Sequence, residues 1–392
     1  MLINHRHLAL VVLGGALACS RVAPHAVPAP VMPFATDTSR TQAVAPGVVH
    51  RYLYASSGPW AVHVLDVDLA RCNSVVALKG GDGAIGREKT STLASDLAKV
   101  RTGVIGAVNA DFFLFTPPGV PTGTLITNGR LVTGPSDQAV LALDSAGRVR
   151  IAPLYASGSA VMGGQTVAIA GWNHALANGV ALFDGNWGGT LDTASSTIEV
   201  VLDASNPRRV VRVDTMLAGT TMPPGGVILV AGHHASAAAR AALRRLVPGD
   251  SVRTSIALSP LFPREAVGGR VVLVRDSVIA VAPDSAGEPG FVARNPRTAA
   301  GIRGNGTRLV LAVVDGRQKP YSDGMTLHEL ASLMLALGAR DAINLDGGGS
   351  STLVYADPDS AGALRIANKP SDKGVERSVG DALGILHGCS TR

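Results

Sequence analysis

The sequence predicts an α+β fold: mixed β-sheets with few helices, ending in a strand–helix–strand unit whose strand ends carry the candidate site. Three observations predict it. Glycine is frequent, 46 of 392 residues, and glycine weakens helix interiors. Most patterned stretches are short apolar or alternating runs bounded by turn residues. Helical patterns are few: 91–99, 235–246 and 327–337.

In chain order, residues 1–18 read as a signal peptide, with Arg6 ahead of the apolar run LALVVLGGALA. That run is too short to span a bilayer. It ends in Ala16-Leu17-Ala18-Cys19, similar to a lipobox, so Cys19 is the expected lipidation site. Residues 19–46 then read as a Pro/Ala-rich disordered tether, and 47–389 as the folded domain. The expected location is the periplasm or cell surface, as an outer-membrane lipoprotein. Export permits a disulfide, and Cys72 and Cys389 are the remaining pair.

Within the domain, 61–67, 74–78 and 104–109 read as strands. Asn128-Gly129 marks a hairpin before Arg130. Residues 150–260 are a vaguer insert or sub-lobe with strand-like runs at 197–202 and 227–231. Gly81-Asp82-Gly83-Ala84-Ile85-Gly86 fits a dinucleotide fingerprint, but the helix starts five residues too late for the third glycine to pack it. His233-His234 reads as a loop pair, because adjacent residues do not converge on a metal.

Composition excludes other classes. Hydrophobic residues make up 46% and charged residues 16%, which excludes wholesale disorder. The net charge of +6 is not gathered into a stripe and aromatics are 4%, so no nucleic-acid partner is expected.

The most informative stretch is 294–355. Asn305-Gly306 predicts a two-residue type I′ turn. Counting back from it pairs Arg303 with Arg308, Thr298 with Val313 and Arg297 with Val314. Arg297 and Thr298 therefore lie beside Asp315-Gly316-Arg317. Next, Thr326 and Glu329 form a capping box ahead of Leu327, Leu330, Leu333, Met334 and Leu337, and Gly338 stops the helix. Glu329 reads as that cap, with a catalytic acid as the alternative. Residues 342–346 form a short strand followed by Gly347-Gly348-Gly349-Ser350-Ser351.

A right-handed crossover makes the strands before Asp315 and Asp346 parallel, so both aspartates leave carboxyl ends, where open α/β sheets bind ligands. One crevice is expected to hold Arg297, Thr298, Asp315, Arg317, Asn344, Asp346 and the glycine turn. Three glycines allow close approach and present N–H groups to an anion. Two arginines can fork onto phosphate. Two carboxylates can divide the work at a glycosidic bond. An anionic sugar derivative follows as the substrate class.

Six motifs, in this order, carry a family resemblance. They are Asn109-Ala110-Asp111-Phe112-Phe113, Pro121-Thr122-Gly123-Thr124-Leu125 with Asn128-Gly129, Pro296-Arg297-Thr298-Ala299-Ala300-Gly301, Val314-Asp315-Gly316-Arg317, Ser322-Asp323-Gly324-Met325-Thr326, and Asn344-Leu345-Asp346-Gly347-Gly348-Gly349-Ser350-Ser351. The chain resembles the phosphodiester glycosidase family over roughly 60–387, thinly between 150 and 260.

The resemblance implies a hydrolase that removes a sugar from a GlcNAc-α-1-phosphodiester-like linkage in an envelope or extracellular glycoconjugate. It implies Asp346, Asp315 and Asn344 as catalytic residues. It implies Arg297, Thr298, Arg317, Asn109, Asp111, Gly347, Gly348, Gly349, Ser350 and Ser322 as substrate-binding ones. Ala110 departs from the glycine common in relatives. Asp, Asn and carbonyl oxygens are hard ligands, so a divalent cation such as Ca²⁺ is compatible with the set. The alternative function is a non-catalytic lipoprotein that binds anionic glycopolymers through the same crevice.

Overall fold

The computed structural model describes residues 32–134, 136, 138–174, 176, 178–191, 196–215, 219–260, 263–281 and 292–388. The expected signal peptide, Cys19 and Cys389 lie outside these residues.

An eight-stranded sheet carries most of the site. Its order is Thr38–Ala45, Val48–Ala55, Trp60–Asp68, Arg308–Val314, Arg297–Arg303, Asp341–Asn344, Val272–Arg275, Val278–Ile279. The hairpin register is the counted one: Arg297 opposes Val314, Thr298 opposes Val313 and Arg303 opposes Arg308. Asn305 (φ 55°) and Gly306 (φ 86°) supply the two positive φ values that this turn demands. The strands Arg308–Val314 and Asp341–Asn344 are both antiparallel to Arg297–Arg303, which lies between them. They are therefore parallel to each other with one strand inserted, and their carboxyl ends share one edge.

The crossover helix is Leu327–Ala336 with the capping box intact: Glu329 N donates to Thr326 Oγ1 (3.1 Å) and Thr326 N to Glu329 Oε2 (2.9 Å). It buries Leu330, Leu333 and Met334 against Ala299, Ala312 and Val314 on one sheet face. The alternate residues Leu309, Leu311 and Val313 pack on the other face with Leu65, Val108 and Leu383. Both faces are covered, so these strands read as continuous apolar runs rather than alternating ones. Truncating one of the buried leucines to alanine costs about 2–5 kcal/mol.

A second sheet, ordered Ala363–Ile366, Leu353–Asp357, Val104–Asn109, Asp381–His387, Asn73–Lys79, receives the chain that leaves the triple glycine. The helix Thr90–Val100 covers it through Leu93, Ala94 and Leu97. A further five-stranded sheet contains the Leu125–Thr127 and Arg130–Thr133 hairpin, with Asn128 (φ 50°) and Gly129 (φ 72°) at the turn. Residues 155–259, the vaguer insert of the sequence, form a closed seven-stranded barrel with its own core. The remaining described α-helix, Ala237–Arg244, packs on this barrel and is capped by Ser236 Oγ.

One expectation changes here. Thr38–Ala45, counted with the tether, is the edge strand of the large sheet and pairs with Val48–Ala55. An edge strand is held by main-chain bonds, so its polar sequence gave no hydrophobic period to read. The fingerprint-like loop after Lys79 wraps that lysine instead of a phosphate: Nζ donates to Gly80 O (2.6 Å) and Gly86 O (2.8 Å). Cys72 is disulfide-bonded, and Gly388 N donates to Cys72 O (2.8 Å).

Candidate active site

The triple glycine is the hub. Gly348 N donates to Pro296 O (2.9 Å), which ties the turn to the start of the Arg297–Arg303 strand. A Cβ on Gly347 would meet Pro296 O at 2.7 Å, so no side chain fits there. Gly348 has φ +62°, and a Cβ on it would lie 3.2 Å from the Arg317 guanidinium. A Cβ on Gly349 would collide with the Arg377 guanidinium and the Asp372 carboxylate. Two guanidinium groups thus lie against Gly348 and Gly349. Arg317 is oriented by Nε donating to Asn295 Oδ1 (3.0 Å), and Arg377 by an ion pair with Asp372 (2.8 Å).

Arg297 is buried on the helix face of its strand. Its Nε donates to Met325 O (2.9 Å) and its NH2 to Ala293 O (2.8 Å). Burial, and then the nearby Arg317 charge, push its pKa down to about 10. A Cβ on Gly347 would lie 3.7 Å from Arg297 Cα, so Arg297 stands beside the turn, as the hairpin count required.

Asp346 sits half-buried at the foot of the turn, with Oδ1 accepting from Gly347 N (2.9 Å). Burial raises its pKa to about 6, against the lowering effects of Ser350, Gly347 N–H and Arg377. Asp111 and Asp381 lie beneath, fully buried, and both feel the Asp346 charge. Asp111 accepts from Phe112 N (2.7 Å) and Gly123 N (2.6 Å), yet burial and the Asp381 charge hold its pKa well up. Asp381 Oδ1 accepts from Asp111 N (2.8 Å), and burial raises this carboxyl to about 7, offset in part by Lys79. Asp111 and Asp381 interact closely enough to titrate as a pair, not singly.

Asn109 and Thr298 hold this arrangement from below. Asn109 Nδ2 donates to Asp346 O (2.7 Å), while its Oδ1 accepts from Thr298 Oγ1 (2.8 Å) and Thr352 N (3.0 Å). Both side chains are spent inside the protein, so they position the turn and do not face a ligand. Asn344 differs: its Oδ1 and Nδ2 are buried without a hydrogen-bond partner among the described residues. Leaving such groups unpaired costs about 1–3 kcal/mol each, so a polar ligand is the natural partner.

Three expected site residues are held by other partners. Asp315 and Asp346 have different hydrogen-bond partners among the described residues. The Asp315 oxygens accept from Asn368 Nδ2 (3.1 Å), Lys369 N (3.0 Å) and Tyr321 OH (2.9 Å). The reason is alternation: Asp315 continues the face of Val313, whereas Asp346 leaves the sheet to cross to the second one. Ser322 is fully buried, with Oγ donating to Asp315 O (2.6 Å) and accepting from Ala61 N (3.1 Å). Glu329 is committed to the helix cap and to an ion pair with Arg294.

The sequence reading missed Arg377, Asp372 and Asp381. The charged run Ser371-Asp372-Lys373-Gly374-Val375-Glu376-Arg377 before the last strand was the signal available. Among the described residues no group of three or more His, Cys, Asp or Glu side chains is placed to hold a metal ion.

Residues 196–386 match the family model described as phosphodiester glycosidase. This region belongs to the phosphodiester glycosidase family. Its boundaries run from the middle of the barrel to the last strand, so the glycine turn, Arg297, Arg317 and Arg377 all fall inside it.

A Bacillus subtilis SPbeta prophage-derived uncharacterized protein is 42% identical over 94 residues, 24% of this chain and 13% of its own length. The chain thus spans a small part of that relative. Among solved structures, a hypothetical protein from Synechocystis has a TM-score of 0.73 and 20% identity, over 90% of this chain and 64% of its own. A candidate exported protein from Burkholderia pseudomallei has a TM-score of 0.66 and 26% identity, over 84% and 74%. These likenesses agree with the fold described above. No helix among the described residues is long and apolar enough to cross a membrane.

Proposed function

We propose that the protein is an exported glycosidase that hydrolyses a sugar-1-phosphodiester, releasing the sugar and leaving a phosphomonoester. The observation that carries this reading is the pair of guanidinium groups, Arg317 against Gly348 and Arg377 against Gly349, with the Asp346 carboxyl at the foot of the turn. Family membership supplies the reaction class. The N-terminal signal and the disulfide at Cys72 support export, with lipidation at Cys19 part of the same proposal.

The phosphate lies against the Arg317 and Arg377 guanidinium groups beside the glycine turn, and the Asn344 amide pairs with a sugar hydroxyl. Asp346, as the carboxylate, takes a proton from a water whose oxygen attacks the anomeric carbon. The bond from that carbon to the phosphate oxygen breaks, and its electron pair stays on the phosphate. The two arginines stabilise this growing negative charge. A base with a pKa near 6 is well placed for work close to neutral pH. Burial sets that value.

The test is release of GlcNAc from GlcNAc-α-1-phosphomethyl diester by the wild type, Asp346→Asn and Arg317→Ala/Arg377→Ala. The expected losses are about a thousandfold in kcat for the first, and a KM rise of at least tenfold for the second. Full activity of Asp346→Asn would remove Asp346 from the chemistry. Tight binding of the diester with no turnover by the wild type would replace the enzyme by the glycopolymer-binding reading.

A further inference from the structure

The surroundings of Asp315 expose a second feature. On the large sheet, over the row Arg40, Tyr52 and His63, a cavity of about 800 Å³ opens between residues 40–63 and residues 321–369. A volume of this size suits a small ligand. Its floor is a chain of buried polar groups. His50 Nε2 lies 3.3 Å from His63 Nδ1, His63 Nε2 lies 4.0 Å from Asp315 Oδ2, and Tyr321 OH donates to that oxygen at 2.9 Å. Burial lowers both histidines, to about 4 and about 3, so the floor presents neutral imidazoles.

The walls are rings. Tyr52, Tyr321 and Tyr355 are half-buried, and Tyr355 stacks on His50 with centroids 4.5 Å apart. The rim carries the exposed cations Arg40 and Lys369 and one acid, Asp359. Lys369 Nζ stands 5.1 Å over the Tyr321 ring. Rings with apolar faces and polar edges match the faces of a pyranose, whose C–H and O–H groups alternate. Cations at the mouth match a carboxylate or phosphate on it.

The wall between this cavity and the glycine turn is thin. Asn368 Nδ2 donates to both Asp315 Oδ1 (3.1 Å) and Ser351 O (3.0 Å). Gln318, the neighbour of Arg317, donates to Lys369 O (2.7 Å).

We infer that this cavity is a second carbohydrate subsite, holding an acidic sugar on the leaving side of the scissile phosphodiester. The inference rests on the proposed function and deepens it by naming the aglycone class. It assigns Tyr321, the two imidazoles and the rim cations to recognition of that sugar, and gives the buried Asp315 the role of positioning Tyr321 and the Lys369 main chain.

The experiment compares two substrates, GlcNAc-α-1-phosphomethyl and GlcNAc-α-1-phosphate esterified to O6 of methyl glucoside 4-uronyl disaccharide, in the mature protein. The variants are Arg40→Met/Lys369→Met and, as a control for lost charge, Arg244→Met/Arg245→Met on the barrel helix. The expected result for the first variant is a drop of at least tenfold in kcat/KM on the acidic substrate and less than twofold on the methyl diester. The control should match the wild type on both.

Equal losses on both substrates, or the same loss in the control, would overturn the subsite. A second arm needs no turnover: saturation transfer from the protein to methyl α-glucuronide, expected in the wild type and lost in Arg40→Met/Lys369→Met. If neither substrate is cleaved but this transfer is seen and lost, the proposed function fails and the acidic-sugar cavity stands. Absence of transfer in the wild type would refute the cavity.

Discussion

Replacing Asp346 with asparagine should make the protein inactive and, above pH 6, more stable. The carboxyl is raised from 3.8 to about 6 because burial disfavours its charged form. A raised acid contributes stability that is full below its unfolded pKa and is lost as pH rises through the folded one. Here that window runs from about pH 4 to about pH 6. A shift of about two units corresponds at most to about 3 kcal/mol, and partial exposure of the group trims this to about 1–3 kcal/mol. Asparagine keeps an oxygen for Gly347 N but carries no charge. The variant should therefore match the wild type near pH 4 and exceed it by about 1–3 kcal/mol at pH 8. Urea midpoints at both pH values, with the slope checked for constancy, read this directly. Turnover at pH 8 should fall about a thousandfold in the same preparation. An asparagine variant destabilised equally at both pH values would refute the claim that Asp346 is held against its own charge.

Further outcomes follow from the same geometry. Asn344→Leu removes two unpaired buried groups, so it should leave stability within about 1 kcal/mol while raising KM for the diester at least tenfold; urea unfolding and steady-state kinetics check both. Glu329→Ala should cost about 1 kcal/mol through loss of the cap, with kcat/KM within twofold, because its carboxylate serves Thr326 and Arg294. Gly348→Ala strains a residue at φ +62° and crowds Arg317; it should cost about 1–2 kcal/mol and weaken diester binding more than it lowers kcat.

Much of the site edge was legible because its geometry is local. A two-residue turn fixes the hairpin register, and the register put Arg297 next to residue 315 without any coordinates. The Thr326–Glu329 box and Gly338 bounded the helix for the same reason: caps act within one turn. The barrel at 155–259 was not legible as a barrel. Its closure depends on Tyr155–Met162 pairing with Ser251–Ser259 across nearly the whole insert, and no local pattern encodes that pairing.

By itself, the sequence determined which backbone segments end at one rim, since turn chemistry and strand periodicity act over a few residues. The tertiary structure alone decided which side chains meet there. Asp315 stays on the sheet face of Val313 and turns to Tyr321 and His63, whereas Asp346 follows the glycines out of the sheet toward Arg377, Asp111 and Asp381. These partners come from distant parts of the chain, brought together by packing between two sheets, and interactions of that range leave no mark in residue spacing.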